Sequence, residues 1–184
     1  TVIGVKSFGN QADGMWLGEG ALVRECSVFD NTGWGMDLGP NAVVVDCQAR
    51  NNSQHGIDVD FCSKVRGCVS YGNTLDGITA SSNCTISSCS SVQNGDDGIQ
   101  VDDNCRVEDN NCSGNGAGSG TGAGVHAVGS RSRIQGNNCA ENIYGFRTGQ
   151  NGNLLIHNSA VGNTGGNYNL TTGTFSGRVE SDLT

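Results

Sequence analysis

Apolar and polar residues alternate in short segments bounded by turn-forming residues. Gly56–Asp60 reads Gly-Ile-Asp-Val-Asp, Gly77–Ser81 reads Gly-Ile-Thr-Ala-Ser and Gly98–Asp102 reads Gly-Ile-Gln-Val-Asp. A period of two predicts half-buried strands, and the flanking Gly, Asn and Asp predict turns. These segments belong to a repeat. Blocks begin at Val2, Val23, Val44, Val65, Ile86, Val107, Ile134 and Leu155, with spacings of 21, 21, 21, 21, 21, 27 and 21 residues. Eight residues into each block stands an asparagine: Asn10, Asn31, Asn52, Asn73, Asn94, Asn115, Asn142 and Asn163. A glycine follows in every block, and in the first seven an apolar residue comes directly after it: Met15, Met36, Ile57, Ile78, Ile99, Val125 and Phe146.

A fixed period of this length predicts a solenoid. No block holds a helical apolar stripe, and 8 Leu in the whole chain exclude a leucine-rich repeat. The remaining architecture is all-β: a parallel β-helix of about eight coils, each made of three short strands. The asparagine column is expected at one corner, its amides bonding along the stack and its backbone left-handed. Seven spacings at about 4.8 Å make a rod roughly 34 Å long. The solenoid is placed at 1–170 and the tail at 171–184 is read as a C-terminal cap or linker. The chain ends lack obvious caps, which suggests a fragment of a larger parent chain or a processed product. The block starting at Val107 carries six extra residues within Gly114–Gly124, a Gly/Ser bulge beside His126 that either builds a site or has no role.

Composition narrows the function. Gly (30) and Asn (21) supply the left-handed turns, and 10 Lys+Arg against 18 Asp+Glu give a net charge of −8. That balance opposes nucleic acid as a partner. It also opposes a bare polyanion unless a cation bridges the two. The longest apolar run, Ala42–Val45, is too short for membrane insertion. The cysteines fall into columns (Cys26, Cys47, Cys68 and Cys89; Cys84 and Cys105; Cys112 and Cys139). In-register parallel neighbours point their Cβ vectors the same way, so buried free thiols are expected rather than disulfides.

The outward positions carry the candidate chemistry. After each glycine the middle strand position faces out and reads Trp16, Asp37, Asp58, Thr79, Gln100, His126, Arg147. Asp60 and Asp102 stand two residues further on, and Asp13, Trp34, His55, Asp76 and Asp97 directly precede the glycines. Carboxylates beside histidines and aromatics suit glycan chemistry: general acid and base groups with a stacking platform. Asp37, His55, Asp58, Asp76 and Asp97 are the catalytic candidates, and Trp16, Trp34, Gln100, His126 and Arg147 the substrate-binding ones. Asp37, Asp58 and Asp60 are a candidate Ca²⁺ site of hard oxygen donors. Each single Asp also has a plain reading as solvated surface or turn.

The Asn-x-x-x-Gly-apolar repeat resembles the right-handed parallel β-helix superfamily, which includes pectate lyases, polygalacturonases, alginate C5-epimerases and phage tailspikes. Val65–Ala80 is similar to an alginate C5-epimerase repeat, and the resemblance would make Asp76 catalytic; Asn52–Val59 is similar to a His-containing repeat and nominates His55. Trp34–Pro40 and Tyr144–Gly149 are the nearest matches to that family's Asp-Pro-His motif and lack its Pro and His. Asn94, Asp96 and Asp97 resemble half of a polygalacturonase motif, whose His is replaced by Ala123. The resemblance implies an extracellular or cell-surface protein that binds or modifies a polysaccharide. The alternative is a non-catalytic structural or adhesive rod, and a homo-oligomer or a larger parent chain is a further expectation.

Overall fold

The computed structural model describes residues 1–176 and 180–181. It contains three parallel sheets wound as a solenoid, with no helix among the described residues. The first sheet stacks nine strands from Val2–Ile3 to Phe175–Ser176, and the second nine from Lys6–Phe8 to Glu180–Ser181. The third stacks eight strands from Met15–Leu17 to Gly166–Asn169. Each strand pairs in register with the strand one block later, for example Met36↔Ile57 and Val44↔Val65. Phe175–Ser176 pairs with Leu154–Leu155 and Glu180–Ser181 with Ser159–Ala160, so the first two sheets run on past 170. Residues 177–179 and 182–184 of the expected cap or linker lie outside the described residues.

The chain turns the corner by single left-handed residues. After the first-sheet strands come Gly4, Glu25, Asp46, Gly67, Ser88, Asp109, Gly136 and His157, with φ of 67°, 54°, 54°, 66°, 54°, 55°, 68° and 52°. Gly9, Asp30, Asn51, Gly72, Gln93, Gly114, Glu141 and Gly162 do the same after the second sheet. Contrary to the expectation from sequence, the eight-member asparagine column is therefore not itself left-handed; the residue before each asparagine takes that conformation. The asparagine is thereby directed inward, where all but the end members are buried. Each amide donates to the next one's Oδ1, at 2.8 Å from Asn10 to Asn31, 3.0 Å from Asn73 to Asn94 and 2.9 Å from Asn115 to Asn142. Each Oδ1 also accepts a backbone N–H, as Asn94 does from Asn73 at 3.1 Å. A shorter ladder, Asn110–Asn137–Asn158, continues the column that Cys26, Cys47, Cys68 and Cys89 begin.

Several apolar columns fill the tube, two of them made of the residues that repeat most strictly in sequence. Val23, Val44, Val65, Ile86, Val107, Ile134 and Leu155 face Met36, Ile57, Ile78, Ile99, Val125 and Phe146, all buried. All nine cysteines are free; eight are buried and Cys62 is exposed at a left-handed corner (φ 61°). Buried thiols such as Cys47 and Cys89 donate to backbone carbonyls, Cys47 to Val45 at 3.2 Å and Cys89 to Ser87 at 3.3 Å. Burial pushes the Cys139 thiol well up; at Cys68 the Cys47 contact lowers the thiol, but the Cys89 thiol and burial outweigh it and push it up to about 12.

Candidate functional site on the third sheet

The middle position of each third-sheet strand faces outward, which puts Trp16, Asp37, Asp58, Thr79, Gln100, His126 and Arg147 in one in-register column. Trp16 is 73% exposed and Thr79 nearly covered; the others are half-buried. This column stands where sequence places it. The column preceding the glycines does not face solvent in the same way: Asp76 and Asp97 are buried at 4% and 3% exposure. The cause is backbone bonding between coils. Asp13 Oδ1 accepts the Trp34 N–H at 2.8 Å, Asp76 Oδ1 the Asp97 N–H at 2.7 Å, and Asp97 Oδ1 the Ala123 N–H at 2.6 Å. His55 takes the same position, its Nδ1 accepting the Asp76 N–H at 3.3 Å.

This shoulder orients two histidines. His126 Nδ1 lies 2.7 Å from Asp97 Oδ2. Since the carboxylate accepts, Nδ1 carries the proton and Nε2 is left with the lone pair when the ring is neutral. His55 Nδ1 lies 3.2 Å from Asp76 Oδ2, while the Asp76 N–H competes for the same nitrogen. The Trp34 ring sits 6.4 Å from the His55 ring, tilted by 36°, and its Nε1 is buried without a partner. Trp34 is thus a wall of the shoulder; Trp16 is the exposed aromatic of the column.

The six-residue insertion is anchored beside this pair. The N–H groups of Gly118 and Ser119 each donate to the Gly95 carbonyl at 2.9 Å, and Ser119 Oγ donates to Asp96 Oδ1 at 2.7 Å. Arg147 donates to the Thr121 carbonyl at 3.4 Å. The insertion therefore forms a wall along the coil that carries His126, in contact with Arg147 of the next coil.

Carboxylate protonation is shifted across the face. Burial raises Asp37, with the charges of Asp58, Asp13 and Asp60 adding to it. Burial also raises Asp58, offset by the hydroxyl that Thr79 donates to it. Burial raises Asp97, offset by His126. Asp37, Asp58 and Asp60 do not converge as a ligand set. Among the described residues the three carboxylates that do are Asp76, Asp96 and Asp97, with ligand atoms within 4.8 Å of one another. Their oxygens already serve the shoulder's backbone N–H groups, His126 and Ser119. The softer donors are scattered: Met15 and Met36 are in the core, and His55 and His126 are three coils, or about 14 Å, apart.

The fold is shared with solved polysaccharide-processing proteins. The A-module of a mannuronan C-5 epimerase from Azotobacter vinelandii matches with a TM-score of 0.76 at 16% identity, over 94% of this chain and 55% of that one. A mutant form of a periplasmic alginate epimerase gives 0.79 at 14% identity, over 96% and 50%. A pectate lyase gives 0.69 at 17%, over 91% and 55%. The chain thus spans about half the length of each of these structures. No match to a curated protein was found. Residues 6–174 match the family model described as "Periplasmic copper-binding protein (NosD)", and the chain belongs to that family.

Proposed function

We propose that the outward face of the third sheet binds a polysaccharide and modifies it, in a protein that works outside the cytoplasm. The observation that carries this reading is the Asp97–His126 pair at 2.7 Å, set between Gln100 and Arg147 and beside the wall of the insertion. Asp97 fixes the ring, and the free Nε2 is a base or hydrogen-bond acceptor for a sugar hydroxyl or an acidic C–H. Gln100 and Arg147 supply donors to sugar oxygens, and Trp16 a ring for stacking. The three solved neighbours, two epimerases and a lyase, act on polysaccharides on this same fold, which supports the substrate class without naming the sugar. Asp76 and Asp97 act here as positioning groups, because backbone bonds occupy one oxygen of each.

The copper in the family description finds no fitting donor set among the described residues of this chain. Copper is held by thiolate, thioether or imidazole groups. The thioethers and all thiols but Cys62 are buried, and the carboxylate triple is a hard-donor set. No step is assigned to the metal.

The test is a polysaccharide panel, with and without Ca²⁺, read for binding, for products by mass spectrometry and for sugar configuration by proton NMR. One polymer is expected to bind and to change mass, unsaturation or sugar configuration. His126→Ala should abolish turnover while binding persists, and Asp97→Asn should lower it about 10-fold or more. Binding that survives every substitution on the third sheet, with no product, would return the chain to the structural-rod reading.

A further inference from the structure

The net charge of −8 conceals a segregation of charge between faces. The outward columns of the first sheet carry Arg24, Lys64, Arg66, Arg106 and Arg133, which are half of the chain's 10 Lys+Arg. The same strand positions hold one carboxylate, Glu108. Arg24, Lys64, Arg66 and Arg106 are exposed and Arg133 is half-buried. Among the described residues the single ion pair here is Arg106 to Glu108 at 3.4 Å; Arg133 donates to Gln135 Oε1 at 2.9 and 2.6 Å, which holds its guanidinium flat on the sheet.

The register turns these residues into a track. Lys64 and Arg106 belong to one column with Arg133, and Arg24 and Arg66 to the next, two residues along the strand. Cations recur every one or two coils, about 5 or 10 Å apart along the rod. Between them lies a depression of about 210 Å³ lined by Val43, Val45, Lys64, Arg66, Thr85 and Ser87. Its floor is apolar and its rim cationic.

We propose that this first-sheet face binds a linear polyuronate, with the polymer running along the rod axis. A chain bearing one carboxylate per sugar offers charge at intervals the track can meet, and the half-buried Val43 receives the C–H face of a pyranose ring. Bidentate guanidinium–carboxylate pairing suits the arginines. Two features select a thin polymer over other polyanions. The neighbouring corner carries Glu25, Asp46 and Asp109, which a flat anionic membrane would have to cover and a narrow chain avoids. The track between Arg24 and Arg133 holds no aromatic side chain, so it lacks the stacking platform that single-stranded nucleic acid uses. The face is separate from the third sheet, so this assignment stands apart from the reading given for that site.

The experiment titrates the full chain with polymannuronate, with dextran as the neutral polymer, and with vesicles containing phosphatidylserine, at about 20 and about 200 mM salt. Polymannuronate should bind, and lose affinity about 10-fold or more across that salt range. Lys64→Ala/Arg66→Ala/Arg106→Ala should weaken it by roughly 10-fold or more. Lys6→Ala/Arg50→Ala, which removes two cations from the second sheet, should leave it unchanged. Should the triple substitution unfold the protein, Lys64→Gln/Arg66→Gln repeats the measurement with longer polar side chains. Equal affinity in wild type and variants overturns the proposal. So does equal loss in both sets of variants, dextran binding as well as polymannuronate, or binding to vesicles alone.

Discussion

At the scale of single residues, the site is governed by what the backbone requires of each side chain. An aspartate just before a glycine reads in sequence as an exposed acid, and Asp37 and Asp58, on the strand itself, are half-exposed. Asp76 and Asp97 are drawn under the surface because the following coil presents an unpaired N–H at that height. Nothing in the local sequence distinguishes the two situations, since the donor comes from 21 or 26 residues away. The half-exposed Asp37 also sets a pH dependence. Burial and the charges of Asp58, Asp13 and Asp60 raise the Asp37 carboxyl, so the folded state holds this proton more tightly than the unfolded state does. Its contribution is therefore complete below about pH 4 and declines as pH rises through the folded value. Asp37→Asn should raise the thermal midpoint at pH 7 and leave it unchanged near pH 3. Solvent screening keeps the gain under about 1 kcal/mol. A midpoint that falls at pH 7 would show that the carboxylate makes a stabilising contact instead.

Strands were the most legible elements, because inward positions repeat while outward ones vary. Valine or isoleucine at the block start and an apolar residue after the glycine can be read without coordinates, and both form the observed core. The corner was read less well: the asparagines mark the ladder, but 14 non-glycine residues with positive φ include Glu25, Gln93 and His157, none of which announces a left-handed turn. Stacking with neighbouring coils overrides their local preference. Two substitutions test the element. Asn94 Oδ1 accepts both from the Asn73 backbone and from the Asn73 amide, and its own amide reaches Asn115 and Ser91. Asn94→Leu should cost about 2–4 kcal/mol by leaving two or more buried groups unpaired, measured as a drop in the urea midpoint at unchanged m-value. Gly98→Ala would place a Cβ 2.6 Å from the Gly124 carbonyl oxygen and 2.8 Å from Asn115 Nδ2. Neither neighbour can yield without breaking the ladder, so about 1–3 kcal/mol should be lost.

At the scale of the whole molecule, sums over the chain mislead where the solenoid sorts residues by face. The net charge argued against a polyanion not bridged by a cation, yet the sheets separate the cations of one face from the carboxylates of another. Cysteine behaves likewise: 9 thiols in 184 residues suggest metal or disulfide chemistry by count, but eight of them point into the tube. The same sorting bears on the copper of the family description. A soft-metal site needs several thiolate, thioether or imidazole groups at one point. Here Met15 and Met36 are packed in the core, and His55 and His126 each turn Nδ1 toward an aspartate about three coils apart; Cys62 and His157 are exposed on different corners. Folded protein titrated with Cu(I) against a competing colorimetric chelator should therefore retain no equivalent of metal. In denaturant the thiols of all nine cysteines become available, and uptake should rise to several equivalents. A thiol reagent should follow the same course, with Cys62 reacting in the native state and nine thiols after unfolding. One tightly held Cu(I) in the native protein, with its circular dichroism unchanged, would require core thiols or thioethers to turn outward, and would overturn the placement of these columns.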